Sequence, residues 1–216
     1  MRANAVKGHG RLARARLAPV ELYESIARRR MVRSFDPRPV PPPLVDRILS
    51  RAVRAPSAGF AQATSFLVLE ERADRELFWE LAAEPAWSGN RRASITGAPV
   101  IIVPLASEAA YAGRYAEPDK AGSRRQRTGR WPAPYWVIDA GMATMLILLT
   151  AVEEQLGALF FAIFTDNQRL LSAFGVPSTF EAIGAIALGY EAPGDPSPSR
   201  RRRRKPVEEL VHRGRW

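Results

Sequence analysis

The chain has no cysteine, so disulfides, thiol nucleophiles and cysteine-based metal sites are all excluded. Histidine is nearly as scarce, with His9 and His212 the two present, both close to the termini. A Ser-His-Asp arrangement or a multi-histidine zinc site therefore has almost nothing to be built from. Lysine is confined to Lys7, Lys120 and Lys205, and the rest of the 32 basic residues are arginine. No Gly-x-Gly-x-x-Gly follows an expected strand, so the dinucleotide-binding fingerprint is missing. A nicotinamide nucleotide, if used, would visit an open pocket. The longest apolar run, Met145 to Val152 with Thr150 inside it, falls far short of the roughly 20 residues of a membrane span. Residues 1–19 lack the continuous apolar stretch of a secretory signal. If such a chain is an enzyme, a bound cofactor is the expected carrier of its chemistry.

What is present is the composition of one soluble globular domain: 216 residues, 46% apolar and 25% charged. The net charge of +10 is concentrated at the two ends. Residues 1–20 hold Arg2, Lys7, Arg11, Arg14 and Arg16 with no acid, and Arg200 to Lys205 are six basic residues in a row. Between these ends the chain is close to neutral. Basic tails can serve nucleic acid or an anionic membrane surface. The arginine skew is accounted for more simply by a high-GC coding bias, and nucleic-acid binding is kept as the third reading. The expectation is a cytoplasmic protein with a basic N-terminal arm over 1–19, a single domain over 20–216 and no membrane partner.

Periodicity predicts the order α-α-β-α-β-α-β-α-β. A short amphipathic helix around Leu22 and Ile26 leads into an arginine cluster. Pro37, Pro39, Pro41, Pro42 and Pro43 impose an extended stretch, and Pro43 is expected as the first residue of a helix whose apolar stripe is Leu44, Ile48 and Ala52, with Val45, Leu49 and Val53. Strands are expected at 64–69, 100–105, 158–164 and 183–188, and a helix at 75–83. Residues 106–134 read as irregular, a stretch of the kind that forms lids and binding loops. Residues 137–155 form the strongest helix, apolar nearly all round and so buried on several sides, against a second subunit as well as its own sheet. Gly157 is expected to end it. Thr165 and Gln168 have the spacing of a capping box. This order suits a mixed sheet wrapped by helices rather than a regular βαβ array.

Three features recur in order along the chain. The first is Arg28-Arg29-Arg30-Met31-Val32-Arg33-Ser34-Phe35. The second is Ala55-Pro56-Ser57-Ala58-Gly59 with Gln62 three residues on. The third is Gly175-Val176-Pro177, an apolar strand closing on Leu188-Gly189-Tyr190, then a basic segment and Lys205-Pro206-Val207-Glu208-Glu209. Taken together, over roughly residues 20–216, they resemble the nitroreductase family of FMN-dependent flavoproteins. The resemblance implies an α+β fold, a mainly antiparallel mixed sheet surrounded by helices, in a domain-entwined homodimer with two flavin sites at the subunit interface.

The resemblance also implies a site. Arg29, Arg30 and Arg33 match the N-terminal flavin-binding arginines, and Arg202 and Arg204 the basic pair that completes the phosphate site. Planar guanidinium groups suit the bidentate geometry of a phosphate. Pro56, Ser57 and Ala58 match the loop that reaches the partner's flavin, and Gln62 a flavin-facing amide. Phe161, Ala162 and Ile163 follow the long helix where backbone groups meet the ring. Phe60, Trp131 and Tyr135 are candidates for substrate contact, with Trp136 beside them. Two departures stand out: Met31 where Ser or Thr is common, and Phe60 where Asn is frequent. The implied reaction passes hydride from NAD(P)H, a transient co-substrate, through FMN to an electron-poor small-molecule acceptor such as a nitroaromatic or quinone. No side-chain acid or base is obligatory, and no catalytic residue is named. Flavin breakdown, dehalogenation or a non-catalytic flavin-binding role is the alternative within the same fold.

Overall fold

The computed structural model describes residues 21–82, 94–123, 130–194 and 202–216. The expected basic arm over 1–19, the end of the helix expected at 75–83, and Arg200 and Arg201 of the C-terminal run lie outside the described residues. The helices are α1 (Leu22–Arg28), α2 (Pro42–Ala52), α3 (Arg72–Ala82), α4 (Glu108–Tyr115), α5 (Tyr135–Glu153) and α6 (Asn167–Ala173). The strands are β1 (Phe35–Asp36), β2 (Thr64–Leu69), β3 (Val100–Ala106), β4 (Gly157–Phe161), β5 (Glu181–Ala182) and β6 (Ala185–Glu191). They form one sheet in which β6 is the hub: β1, β3 and β4 all pair with it, and β3 carries β2 and β5. Every strand pair is antiparallel.

Alternation along the central strands builds two cores, one on each face of the sheet. Ile101, Val103 and Leu105 of β3, Ala185 and Ala187 of β6, and Leu159 and Phe161 of β4 pack with Phe78 and Trp79 of α3 and Leu170 and Leu171 of α6. Val100 and Ile102, Ile186 and Leu188, and Ala158 face the other way, onto Val45 and Ile48 of α2 and Ile147, Leu148 and Ala151 of α5. The expected α+β architecture, a mainly antiparallel sheet with helices on both faces, is what the chain adopts.

Several local expectations shift. The stretch read as irregular contains α4, whose cap Ser107 accepts the Ala110 amide at 3.2 Å. The long helix begins at Tyr135, two residues earlier than its apolar pattern predicts. It ends at Glu153, two residues before the expected 155, and the left-handed residue that terminates it is Gln155 at φ 60°, not Gly157. Leu156 N–H then donates to Ala151 O at 2.7 Å and Gln155 N–H to Val152 O at 3.0 Å, the paired bonds of a Schellman termination. Gly157 has a different use: a Cβ there would sit 2.9 Å from the Val32 methyls. Asp166, not Thr165, caps α6, its carboxylate accepting from Gln168 N–H at 3.0 Å and Arg169 N–H at 3.1 Å. The strand expected to reach Phe164 stops at Phe161.

By length and composition α5 is also apolar enough to cross a bilayer, contrary to the expectation from apolar runs alone. In the fold it packs against α2, β3 and β4 instead, with Asp139, Ala140, Ala143, Thr144, Ile147 and Leu148 among its buried residues. Ile138, Met142 and Met145 remain exposed along one edge.

Candidate functional site

The arginine cluster is laid along the start of β4. Met31 forms a parallel bridge to Ala158, and Val32 N–H donates to Ala158 O at 3.0 Å. This places the cluster beside the C-terminal end of α5. There a cavity of about 160 Å³ is lined by Arg28, Arg30, Leu148, Val152, Gln155 and Glu191. The three candidate arginines are not equivalent. Arg30 is ion-paired with Glu191. Arg33 Nη1 donates to Met31 O at 3.2 Å. Among the described residues no carboxylate bridges Arg29 or Arg33. Both are half-buried, and neither is paired with an acid among the described residues. The same end of α5 is tied to α2 through Glu154, which accepts from Arg47 Nη2 at 2.7 Å and Nε at 2.9 Å and from Arg51 Nη1 at 3.1 Å. The Arg47 hydrogen bond holds the Glu154 carboxyl below its ordinary value, against the opposing push of burial.

The Pro56–Gln62 loop lies at the other end of the same helix. Asp139, buried in the first turns of α5, accepts the Ala58 N–H at 3.1 Å, and the Tyr111 hydroxyl accepts the same N–H at 3.2 Å. Burial pushes the Asp139 carboxyl up, and the Ala58 amide pulls it partly back. Ser57 closes the loop on itself: its carbonyl accepts Phe60 N–H at 2.9 Å and its hydroxyl accepts Gln62 N–H at 3.1 Å. Three residues are left-handed, Gly59 at φ 64°, Phe60 at 55° and Gln62 at 50°. For the two non-glycine residues that conformation costs on the order of 1–3 kcal/mol each. Arg114 of α4 donates from Nε to Gly59 O at 3.0 Å. The Tyr115 ring covers Gly59 so closely that a Cβ would lie 2.9 Å from it.

From Asp139 to Glu154 is 15 residues of helix, or about 22 Å at 1.5 Å per residue. The two halves of the expected flavin site are thus held at opposite ends of α5 within one chain. Ala162, exposed, and Ile163, half-buried, follow the end of β4. Trp131, Tyr135 and Trp136 gather with Tyr111 and Tyr115 into one aromatic cluster. In it the Trp131 ring meets Tyr115 edge-on at 4.8 Å and Tyr111 at 5.4 Å. Trp136 Nε1 donates to Glu181 at 2.6 Å. Arg202 and Arg204 stand on a wholly exposed segment, and no hydrogen bond or ion pair among the described residues joins them to Arg29–Arg33 or to the loop. Along that segment Val207, Leu210 and Trp216 are also exposed.

Sequence reasoning passed over Asp139, Tyr111, Arg114 and Tyr115. A signal for the first was available: Asp139 is the one charged residue between Tyr135 and Val152. Nothing in the spacing of the other three pointed to the loop.

The nitroreductase family model matches residues 26–190, spanning the arginine cluster, the loop and the whole sheet. The chain belongs to the nitroreductase family. That places it among oxidoreductases, and its relatives carry such names. An NADH dehydrogenase of Thermus thermophilus is 27% identical over 213 residues, covering 91% of this chain and 98% of its own. Among solved structures, a nitroreductase family protein of Streptococcus pneumoniae superposes with a TM-score of 0.68 at 20% identity, covering 89% of this chain and all of its own. A candidate nitroreductase of Exiguobacterium sibiricum, solved in complex with FMN, superposes with a TM-score of 0.69 at 18% identity, covering 89% of this chain and 97% of its own.

Proposed function

We propose that this nitroreductase-family chain is an FMN-dependent oxidoreductase that takes electrons from NAD(P)H and delivers them to an electron-poor aromatic acceptor, working as a homodimer. The observation that carries the reading is the separation of two complementary half-sites along α5. One end presents Arg29 and Arg33, half-buried and paired with no carboxylate among the described residues. The other presents a loop whose geometry is already fixed. A second copy placed so that its loop meets these arginines would complete the site. The exposed edge Ile138, Met142 and Met145 of α5, with Leu22 and Ile26 of α1, is an apolar surface suited to that contact. An obligate interface of this kind buries more than about 2,000 Å² in total.

The residues present fit the cofactor. Arginine forks make charge-assisted bidentate bonds to a phosphate, and no carboxylate among the described residues holds Arg29 or Arg33. Arg202 and Arg204, exposed on the C-terminal segment, can close over the same phosphate from the partner. The Ser57 hydroxyl, which already accepts the Gln62 amide, keeps its own proton to donate. Ala162 and Ile163 follow β4 as backbone donors and acceptors for the ring edge. FMN, when bound, supplies two-electron transfer between nicotinamide and acceptor. The chain's share is to hold the phosphate, to keep the loop rigid and to set the plane in which flat molecules exchange. The FMN complex of the Exiguobacterium protein supports the cofactor assignment.

The test is the visible spectrum of the purified protein under anaerobic conditions before and after NADPH or NADH. A yellow protein that bleaches and recovers its colour on adding a quinone is expected. A colourless protein that takes up no FMN would end the reading, and a monomer in sedimentation with FMN bound would end the dimer.

A further inference from the structure

We propose that Arg114 is a positioning residue that sets Phe60 as one wall of a binding site for flat aromatic acceptors. This rests on the flavin reading above. Phe60 combines two properties seldom found together: its side chain is 71% exposed, and its backbone is left-handed. A bulky residue gains nothing from that conformation by itself. The conformation is imposed from outside. Ala58 is fixed from one side by Asp139 and Tyr111, and Gly59 is fixed from the other by Arg114 and by the Tyr115 ring.

Arg114 is itself immobilised. Its Nη1 and Nη2 donate to the two carboxylate oxygens of Asp119 at 2.6 and 2.7 Å, and Nη1 also donates to Glu117 at 2.8 Å. Asp119 lies in the short 3₁₀ turn Pro118–Lys120 just beyond α4. A chain of polar contacts therefore runs from Asp119 through Arg114 to the Gly59 carbonyl, one residue before Phe60. It fixes the backbone from which the exposed phenyl ring projects. A preset aromatic face binds a planar ring with little further loss of freedom. The chemistry that fits is a quinone or nitroarene stacked against Phe60.

The experiment compares the full chain with Arg114→Met, Asp119→Asn, Phe60→Ala and the Arg114→Met/Phe60→Ala double variant. Hydrogen exchange of the FMN-free protein reads the clamp directly, through the amides of Ala58, Phe60 and Gln62. Arg114→Met should speed exchange over 57–62 about 10-fold, with a smaller effect for Asp119→Asn, whose exposed side chain puts folding at no risk. In the loaded protein, Arg114→Met and Phe60→Ala should each raise KM for menadione about 10-fold, with a smaller change in kcat and with FMN affinity within about twofold of the parent. The double variant should be no worse than Phe60→Ala alone. Unchanged exchange in both Arg114→Met and Asp119→Asn overturns the clamp. Additive KM effects in the double variant overturn the link to Phe60. A parent protein that binds no FMN overturns the flavin reading and the acceptor site with it, while the exchange result still decides the clamp.

Discussion

At the N-terminal end of α5 the polar groups are spent within the chain: Asp139 and Tyr111 share one amide, and Arg114 is held by two acids and a carbonyl. At the C-terminal end Arg29 and Arg33 keep a charge that no carboxylate among the described residues neutralises. A closed polar network fixes geometry. An open cationic one leaves binding energy for an anion. Arg30 shows where the division runs, since it sits in the open cluster yet is paired to Glu191.

Breaking the open end should have the largest effect. Charge-assisted hydrogen bonds contribute roughly 1.5–3 kcal/mol, so Arg29→Ala or Arg33→Ala should weaken FMN about 10- to 100-fold. Riboflavin, which lacks the phosphate, should be bound nearly as before, and titration of both ligands by fluorescence quenching checks this. Arg204→Ala should behave like Arg29→Ala if the proposed dimer closes the site. Arg30→Ala should cost less than either, because Glu191 already claims its charge. Equal affinity for FMN and riboflavin in the parent would erase the contrast between the two ends.

Breaking the closed end should cost stability instead of affinity. Asp139→Leu leaves the Ala58 amide with Tyr111 alone, at a cost of about 1–3 kcal/mol by thermal or urea denaturation. Asp139→Asn keeps an acceptor and should lose much less. The two are also separated by pH. Because burial raises the Asp139 carboxyl, the folded chain retains a proton that the unfolded chain has released. The stability contribution of Asp139 therefore falls as pH climbs from the ordinary aspartate range through the raised value. Asp139→Asn should abolish that fall.

Glu154 works in the opposite sense. Arg47 lowers its carboxyl, so its contribution is intact above the ordinary glutamate range and is lost as pH drops through the lowered value. With Arg47 partly exposed, about 1 kcal/mol is at stake, and Glu154→Gln should flatten the acid limb of the stability profile. The smallest effect belongs to the exposed helical pair of Arg28 with Glu24, at 2.9 Å. Removing it with Glu24→Gln should move the melting temperature by about 1 °C.

Much of the fold was legible because its signals are local. Thr64–Leu69, expected as a strand, is one to the residue. Proline punctuation placed the start of α2 within one residue, at Pro43 for the observed Pro42, and the ordered arginine, loop and C-terminal features gave the family. What escaped depends on contacts between distant residues. α4 carries no strong apolar stripe, and Tyr111 is buried only because the loop and Trp131 close over it. β1 and β5 are two residues long, too short for any period to register. The arginines could be named as a cluster, but whether each is neutralised depended on Glu191, 161 positions from Arg30. The capping residue of α6 was misplaced by one because Thr165 and Asp166 offer the same chemistry at adjacent positions, and backbone direction decides between them.

The hub strand β6 also constrains how the chain comes together during synthesis. β1 pairs with it across more than 150 positions, Phe35 opposite Glu191, and β3 and β4 have no common neighbour until it arrives. Until residues near 190 have left the ribosome, the apolar helix α5 and most of both cores have no finished sheet to pack on. Assembly should therefore wait for β6 and be slow for its size, as its many long-range pairings dictate. The waiting intermediate would expose a segment oily enough for a bilayer, and chaperone dependence should track translation past β6, not past α5.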